Sequence, residues 1–301
     1  MAKWTTTDIP DQSRRVAVVT GANTGLGYET AAALAEHGAH VVLAVRNLDK
    51  GKDAVSRITA NSPQADVALQ ELDLTSLESV RAAAEQLRSD YDRIDLLINN
   101  AGVMWTPKST TKDGFELQFG TNHLGHFVLT NLVMPALVAG APSRVVNLSS
   151  GGHRSSDILW DDPNFARTPY DKMTSYGQSK TANILFSVEL DRRMADRGVR
   201  AYAVHPGVIQ TELSRYMTPE DLTGMLERMK AMGREMPPYK TPEGGAATSL
   251  WAATAPELEN IGGVYLEDCH VSQAMPYATD PEAAVRLWAL TEELLGQQFP
   301  L

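Results

Sequence analysis

Residues 15–27 read Arg15-Val-Ala-Val-Val-Thr20-Gly21-Ala-Asn23-Thr24-Gly25-Leu26-Gly27. The first six residues form a short apolar run rich in β-branched side chains, the pattern of a strand buried on both faces. It passes straight into three glycines and then an alanine-rich helical stretch, residues 28–37. Glycines at a strand-to-helix turn let a ligand approach the backbone, and the free amides of the helix start suit a phosphate. The spacing differs from the generic dinucleotide fingerprint G-x-G-x-x-G. No Gly-Lys-Ser/Thr follows, which excludes a P-loop. A glycine turn without a ligand is the alternative.

Outward from this turn, helix and strand patterns alternate. A second strand, His40-Val-Val-Leu-Ala-Val45, ends at Arg46-Asn47, and Asp49 is placed to cap a helix over residues 49–60. Strands are predicted at residues 66–71, 94–98, 144–148 and 199–204, with helices at 76–90, from Asn122 to about residue 139, and from Tyr176 onward. Repeated β-α-β alternation implies a parallel sheet with right-handed crossovers. The expected fold is α/β, a single Rossmann-type doubly wound sheet with helices on both faces, spanning residues 1–301 as one domain. Ligands in such sheets bind beyond the strands' carboxyl ends. The unusual residues Gly21, Arg46, Asp73, Asn99, Ser150 and Pro206 all fall at that edge. An arginine after the second strand accommodates a ribose 2′-phosphate where an acidic residue would hold the hydroxyl. Arg46 therefore favours NADP(H), with NAD(H) as the second choice; a plain surface arginine is the alternative.

A second stretch carries chemistry: Ser175-Tyr176-Gly-Gln-Ser-Lys180. Tyr176 and Lys180 share a helix face at i, i+4. A phenol titrates near pH ~10 in water, and a nearby cation favours its anion. That would suit it to general acid/base work. The spacing alone is also that of any solvated helix surface.

Composition narrows the classes. The formal net charge of −10 opposes nucleic acid and anionic membrane surfaces. A single cysteine, Cys269, rules out an internal disulfide framework and suits a reducing compartment. Residues 1–10 lack the apolar core of a signal peptide, and the most apolar run, residues 127–141, is too short to span a bilayer. The expectation is a cytoplasmic protein without membrane insertion.

The motifs Thr20-Gly-x-x-x-Gly25-x-Gly27, Asn99-Asn-Ala-Gly102, Asn122, Ser150, Tyr176-x-x-x-Lys180 and Pro206-Gly207 stand in one order along the chain. In this it resembles the short-chain dehydrogenases/reductases. Asn122-His-Leu-Gly-His-Phe, Asn183-Ile-Leu-Phe, Val204-His-Pro-Gly and Gly244-Gly-Ala-Ala-Thr resemble the retinol-dehydrogenase and WW-domain-oxidoreductase branch. The resemblance implies hydride exchange between a nicotinamide and an alcohol, aldehyde or ketone, with a homodimer or homotetramer open. It implies Tyr176 as acid/base and Lys180 as the group that lowers its pKa and holds the nicotinamide ribose. Ser150 would bind the substrate oxygen, and Asn122 a water linking Lys180 to solvent. Gly21, Asn23, Thr24, Gly25, Leu26 and Gly27 would lie along the pyrophosphate, with Arg46 at the 2′-phosphate. Asp73 and Leu74 would adjoin the adenine, and Asn99, Ala101 and Gly102 the adenosine ribose. Pro206, Gly207, Ile209 and Thr211 would adjoin the nicotinamide.

Three features depart from the pattern. Thr24 stands where NADP-preferring members often carry a basic residue, so Arg46 bears the cofactor argument. Residues 151–175 are long and bring Trp160, Phe165 and Tyr170, either to border the substrate pocket or as an exposed loop; the segment would also obstruct pairing through the helices after Asn122 and Tyr176. Membrane-bound retinol dehydrogenases carry an apolar N-terminal anchor, which residues 1–10 do not resemble. Residues 212–240 are read as a substrate-covering insertion. Within it, 217–236 are rich in methionine, and Leu222, Met225, Leu226 and Met229 form one apolar stripe. No metal is expected: His123 and His126 share a face but lack a third ligand, and Asp268-Cys269-His270 are neighbours rather than a triad. Two rivals remain. One is a catalytically idle NADP(H)-binding scaffold or sensor; the other, a methyltransferase on a similar sheet, is opposed by Arg46.

Overall fold

The computed structural model describes residues 4–231, 233 and 235–301. Its strands are β1 (Val16–Thr20), β2 (His40–Val45), β3 (Asp66–Glu71), β4 (Leu96–Asn99), β5 (Ser143–Leu148), β6 (Val199–His205), β7 (Val264–Glu267) and β8 (His270–Val271). They form one sheet in the order β3-β2-β1-β4-β5-β6-β7-β8, parallel throughout except for the β7–β8 hairpin. The order reverses direction between β1 and β4, which opens a crevice at their carboxyl ends.

The helices are α1 (Gly25–Glu36), α2 (Leu48–Asn61), α3 (Leu77–Asp90), α4 (Leu117–Phe119), α5 (Gly125–Ala139), α6 (Lys172–Met194), α7 (Pro219–Ala231), α8 (Pro242–Thr254), α9 (Pro276–Thr279) and α10 (Pro281–Leu295). Successive strand residues point to opposite faces, and this sorts the core in two. Val19, Leu43, Ile98 and Val204 pack with α1 and α8; Val18, Val42, Leu97 and Val145 pack with α3, α5 and α6. Strands β1, β2, β4, β5 and β6 are buried on both faces, which is why they read as nearly unbroken apolar runs.

The sequence pattern missed several short or fully buried elements, α8 and β7 among them. In α8, ten consecutive residues from Gly245 to Thr254 are buried, so no polar face marks it as a helix. The four-residue strand β7 is too short for a period to show. One cap also differs: the Asn47 side chain, not Asp49, accepts from the Lys50 amide at the start of α2. Among the described residues no helix is long and apolar enough to cross a membrane.

Candidate active site

The glycine turn is built by close approach. Gly21 and Gly25 have positive φ, +66° and +55°, a region that favours glycine. A Cβ on Gly21 would lie 2.9 Å from the Ala101 Cα, and one on Gly27 would collide with Asn100 and the Gly21 carbonyl. The turn is thus pressed against the loop after β4. Thr20 Oγ1 accepts from the amides of Asn100 and Ala101, both at 2.9 Å, and Asn100 Nδ2 donates to the Thr20 carbonyl at 2.8 Å. Thr24 occupies the N-cap of α1 without a side-chain bond to the helix. The first amides of α1 therefore face the turn, a cradle that fits a pyrophosphate. Asn23 and Leu26 line the turn half-buried, and Thr211 packs its methyl beside Gly25.

Arg46 is exposed at the carboxyl end of β2. Other expected cofactor contacts look inward. Asn99 is buried and gives its amide to Thr130 at 2.9 Å and Asn147 at 2.8 Å, so its side chain bolts β4 to β5 and α5 instead of facing a ribose. Leu74 is core, packed on Gly125. The Asp73 carboxylate accepts from Thr75 and pairs with Lys112 at 3.0 Å. It shapes the turn after β3.

Asn122 lies in a π-helical turn, Gly120–Leu124, between α4 and α5; such irregularities often mark functional sites. Its amide clamps Val103 from both sides, accepting from the Val103 amide and donating to its carbonyl at 2.9 Å each, and also donates to Ser179 Oγ at 2.9 Å. Val103 follows Gly102 directly, so the loop after β4 is locked to α6.

Tyr176 and Lys180 come together on α6, where Asp171 caps the first turn. Lys180 Nζ lies 5.6 Å from the Tyr176 ring centre and donates to the Leu148 carbonyl at 2.9 Å. Ser150 starts the turn after β5, and its Oγ accepts from the Gly152 amide at 3.0 Å. The expected depression of the tyrosine by the lysine does not appear; Ser150 is the one group that pulls it down. Both groups are buried, and losing water penalises the charged form of each. Burial lifts Tyr176 to about 12, against a downward pull from Ser150, and drops Lys180 to about 7. The pair is thus poised as a phenol and an amine that exchanges its proton near neutral pH.

Beyond β6, Gly207 has φ +95°, and a Cβ there would meet the Lys240 side chain. Lys240 Nζ donates to the Pro206 carbonyl at 3.1 Å and pairs with Asp268, and its main chain bridges Ile209. Lys240 and Thr20 are site-shaping residues that sequence reasoning passed over; Thr20 stood inside the glycine motif all along. The aromatic residues of the long segment serve packing. Arg286 of α10 covers Trp160 at 4.2 Å, and Phe165 is buried edge-on to Tyr170 at 5.2 Å. The Tyr170 hydroxyl is held by Gln118 and Glu116.

His123 and His126 do not form a metal pair. His123 sits among Phe119, Phe127 and Phe186 and bonds Thr291, whereas His126 bonds Thr20. No cluster of metal-ligating side chains occurs among the described residues.

A glycine turn at β1, an Asn in a broken helix, and Ser, Tyr and Lys at the end of β5 share one sheet edge. The short chain dehydrogenase family model matches residues 15–222. The chain belongs to this family. Within it the chain resembles the retinol dehydrogenases. Retinol dehydrogenase 13 of Homo sapiens is 42% identical over 286 residues, covering 95% of this chain and 86% of that protein. Retinol dehydrogenase 12 of Mus musculus is 44% identical over 285 residues, covering 95% and 87%. An uncharacterized protein from Mycobacterium paratuberculosis has a crystal structure that superposes with TM-score 0.79 at 37% identity over all of both chains. Pseudomonas aeruginosa RhlG, in an NADP active-site complex, gives 0.65 at 26% identity, covering 85% of this chain and 94% of that one. This short-chain dehydrogenase is therefore a nicotinamide-type oxidoreductase by family.

Proposed function

We propose that this protein is an NADP(H)-dependent oxidoreductase for an apolar alcohol/carbonyl pair, with Tyr176 as general acid/base. The observation that carries the reading is the convergence of Ser150, Tyr176 and Lys180 at the end of β5, on the same edge as the glycine turn. When bound, the nicotinamide would supply or accept the hydride. The residues fit it: Gly21, Gly25, Gly27 and the start of α1 would hold the pyrophosphate, and Arg46 a 2′-phosphate. Ser150 is placed to hold the substrate oxygen. Tyr176, kept as the phenol, donates its proton to that oxygen in reduction and takes one back in oxidation. Lys180 loses or gains a proton near neutral pH and compensates the charge on the phenol oxygen.

The names of the relatives direct the substrate search to retinol-like alcohols and aldehydes, with quinones and simple ketones beside them. The residues are proposed to form one domain, and α10 to favour a monomer. Trp288 packs on Phe127 at 4.7 Å and under Arg193 at 4.1 Å, so it covers the α5–α6 face, the pairing surface that residues 151–175 were expected to obstruct. A dimer in size-exclusion chromatography that survives dilution would contradict this.

The test is an NADPH-oxidation screen over these compounds with NADH in parallel. NADPH is expected to be preferred, and Arg46→Ala to weaken NADPH binding about 10- to 100-fold, on the scale of a charge-assisted contact, with NADH little changed. A preference for NADH overturns the Arg46 assignment.

A further inference from the structure

A line of buried hydrogen bonds runs from the glycine turn to the catalytic helix, through residues none of which is more than 4% exposed: Thr20, His126, Asn122, Ser179 and Tyr176. Its direction follows from counting donors. The Thr20 hydroxyl accepts the Asn100 and Ala101 amides, which occupies both of its lone pairs. Its one proton points to His126 Nε2 at 2.9 Å in preference to the Ile98 carbonyl at 3.4 Å. With Nε2 accepting, the neutral ring carries its proton on Nδ1, and Nδ1 donates to the Asn122 carbonyl at 3.0 Å. Asn122 Nδ2 then donates to Ser179 Oγ at 2.9 Å, and Ser179 Oγ to the Tyr176 carbonyl at 2.8 Å.

We propose that His126 is a positioning residue. It ties the turn that would hold the dinucleotide to the helix that carries Tyr176, by way of Asn122. The role rests on the oxidoreductase reading given above. Geometry argues for it over simple packing. The ring stands beside the π-turn that holds Asn122 and bonds both that residue's carbonyl and Thr20 of β1. Burial and the Lys180 charge keep the ring neutral by holding its pKa down to about 4. A leucine would fill the space and tie nothing. His123, three residues earlier and equally buried, supplies the internal control, because its contacts run to Phe186 and Thr291 instead of the turn.

Two measurements test this on the intact protein. Imidazole ¹⁵N spectra should show His126 as the Nδ1–H tautomer, the minor form of free histidine, with no change of protonation down to about pH 5; an Nε2–H ring overturns the proposal. In kinetics, His126→Leu should lower kcat about 10- to 100-fold, the scale of a small misplacement of reacting groups. It should raise the primary isotope effect with 4-deuterated NADPH while leaving NADPH affinity within about threefold. His126→Asn keeps a donor for the Asn122 carbonyl, as Asn131 does for Phe127 on the same helix at 2.8 Å, and should recover part of kcat. His123→Gln should lose stability without changing the isotope effect. A parent-like kcat and isotope effect in His126→Leu overturns the role. A parent protein without turnover on any substrate refutes the oxidoreductase reading and this role with it, while the spectra still report the bonds.

Discussion

The buried end of the site and the segment 212–240 are built on opposite principles. Around Tyr176, Lys180, Asn122 and Thr20, side chains are nearly inaccessible and joined by directed hydrogen bonds. In α7, within residues 212–240, not one residue is buried. Leu226 stands 41% exposed, while Leu222, Met225 and Met229 are half-buried; Met232 and Arg234 lie outside the described residues. What fastens α7 is charge. Asp221 pairs with Lys172 at 2.5 Å, and Arg228 reaches Met173 Sδ at 3.3 Å and Asp171 at 4.0 Å. All three partners sit at the start of the helix that carries Tyr176. Groups that must hold geometry to tenths of an ångström are locked in the core. Segment 219–231 is left on contacts worth about 0–1 kcal/mol each. We propose the segment as a mobile cover.

The contrast is broken most directly by removing one oxygen from the buried half. Tyr176→Phe should cut kcat by about 10²- to 10⁴-fold and leave NADPH binding intact in a fluorescence titration. An unchanged kcat would take the tyrosine out of the mechanism.

Acid should attack the same half next. Burial holds His123 and His205 at about 3 and His126 at about 4, against 6.5 for exposed histidine. Below pH 6.5 the unfolded chain takes up protons that these rings refuse in the fold. Their stabilising contribution is complete above that pH and is lost as pH falls toward 4 and 3. Each ring adds a slope of up to about 1.4 kcal/mol per pH unit. Urea midpoints from pH 7 to pH 4 measure it, and a flat profile would mean the rings are hydrated.

The smallest effect belongs to the cover. Lys172→Ala should change the KM for an apolar substrate by less than about fivefold and stability by no more than about 1 kcal/mol. Hydrogen exchange over 219–231 should rise in this variant and fall when cofactor and substrate are added to the parent. Exchange that ignores both would make the segment fixed packing.

These regions also differ in how far they could be read beforehand. Strands β1 to β6, the glycine turn and the Tyr176–Lys180 pair rest on local pattern: apolar runs, a glycine where φ is positive, and i, i+4 spacing. Short-range sterics write such signals into adjacent residues. Helix α8 and strand β7 were hidden, the first because it is buried all round and the second because it is four residues long. Trp160 and Asn99 show another limit. Asn99 was read as a ribose contact and Trp160 as bordering the substrate pocket or lying in an exposed loop, but their partners, Asn147 and Arg286, lie far along the chain.

Residue order by itself determined the doubly wound sheet, the edge where a dinucleotide would lie and the helix face shared by phenol and amine, because each depends on neighbours a few positions apart. Only the folded chain decided which histidine meets Thr20, that burial raises Tyr176 instead of Lys180 lowering it, and that α10 covers α5 and α6. Those outcomes turn on desolvation and on contacts between distant segments, and neither quantity exists until the chain has packed.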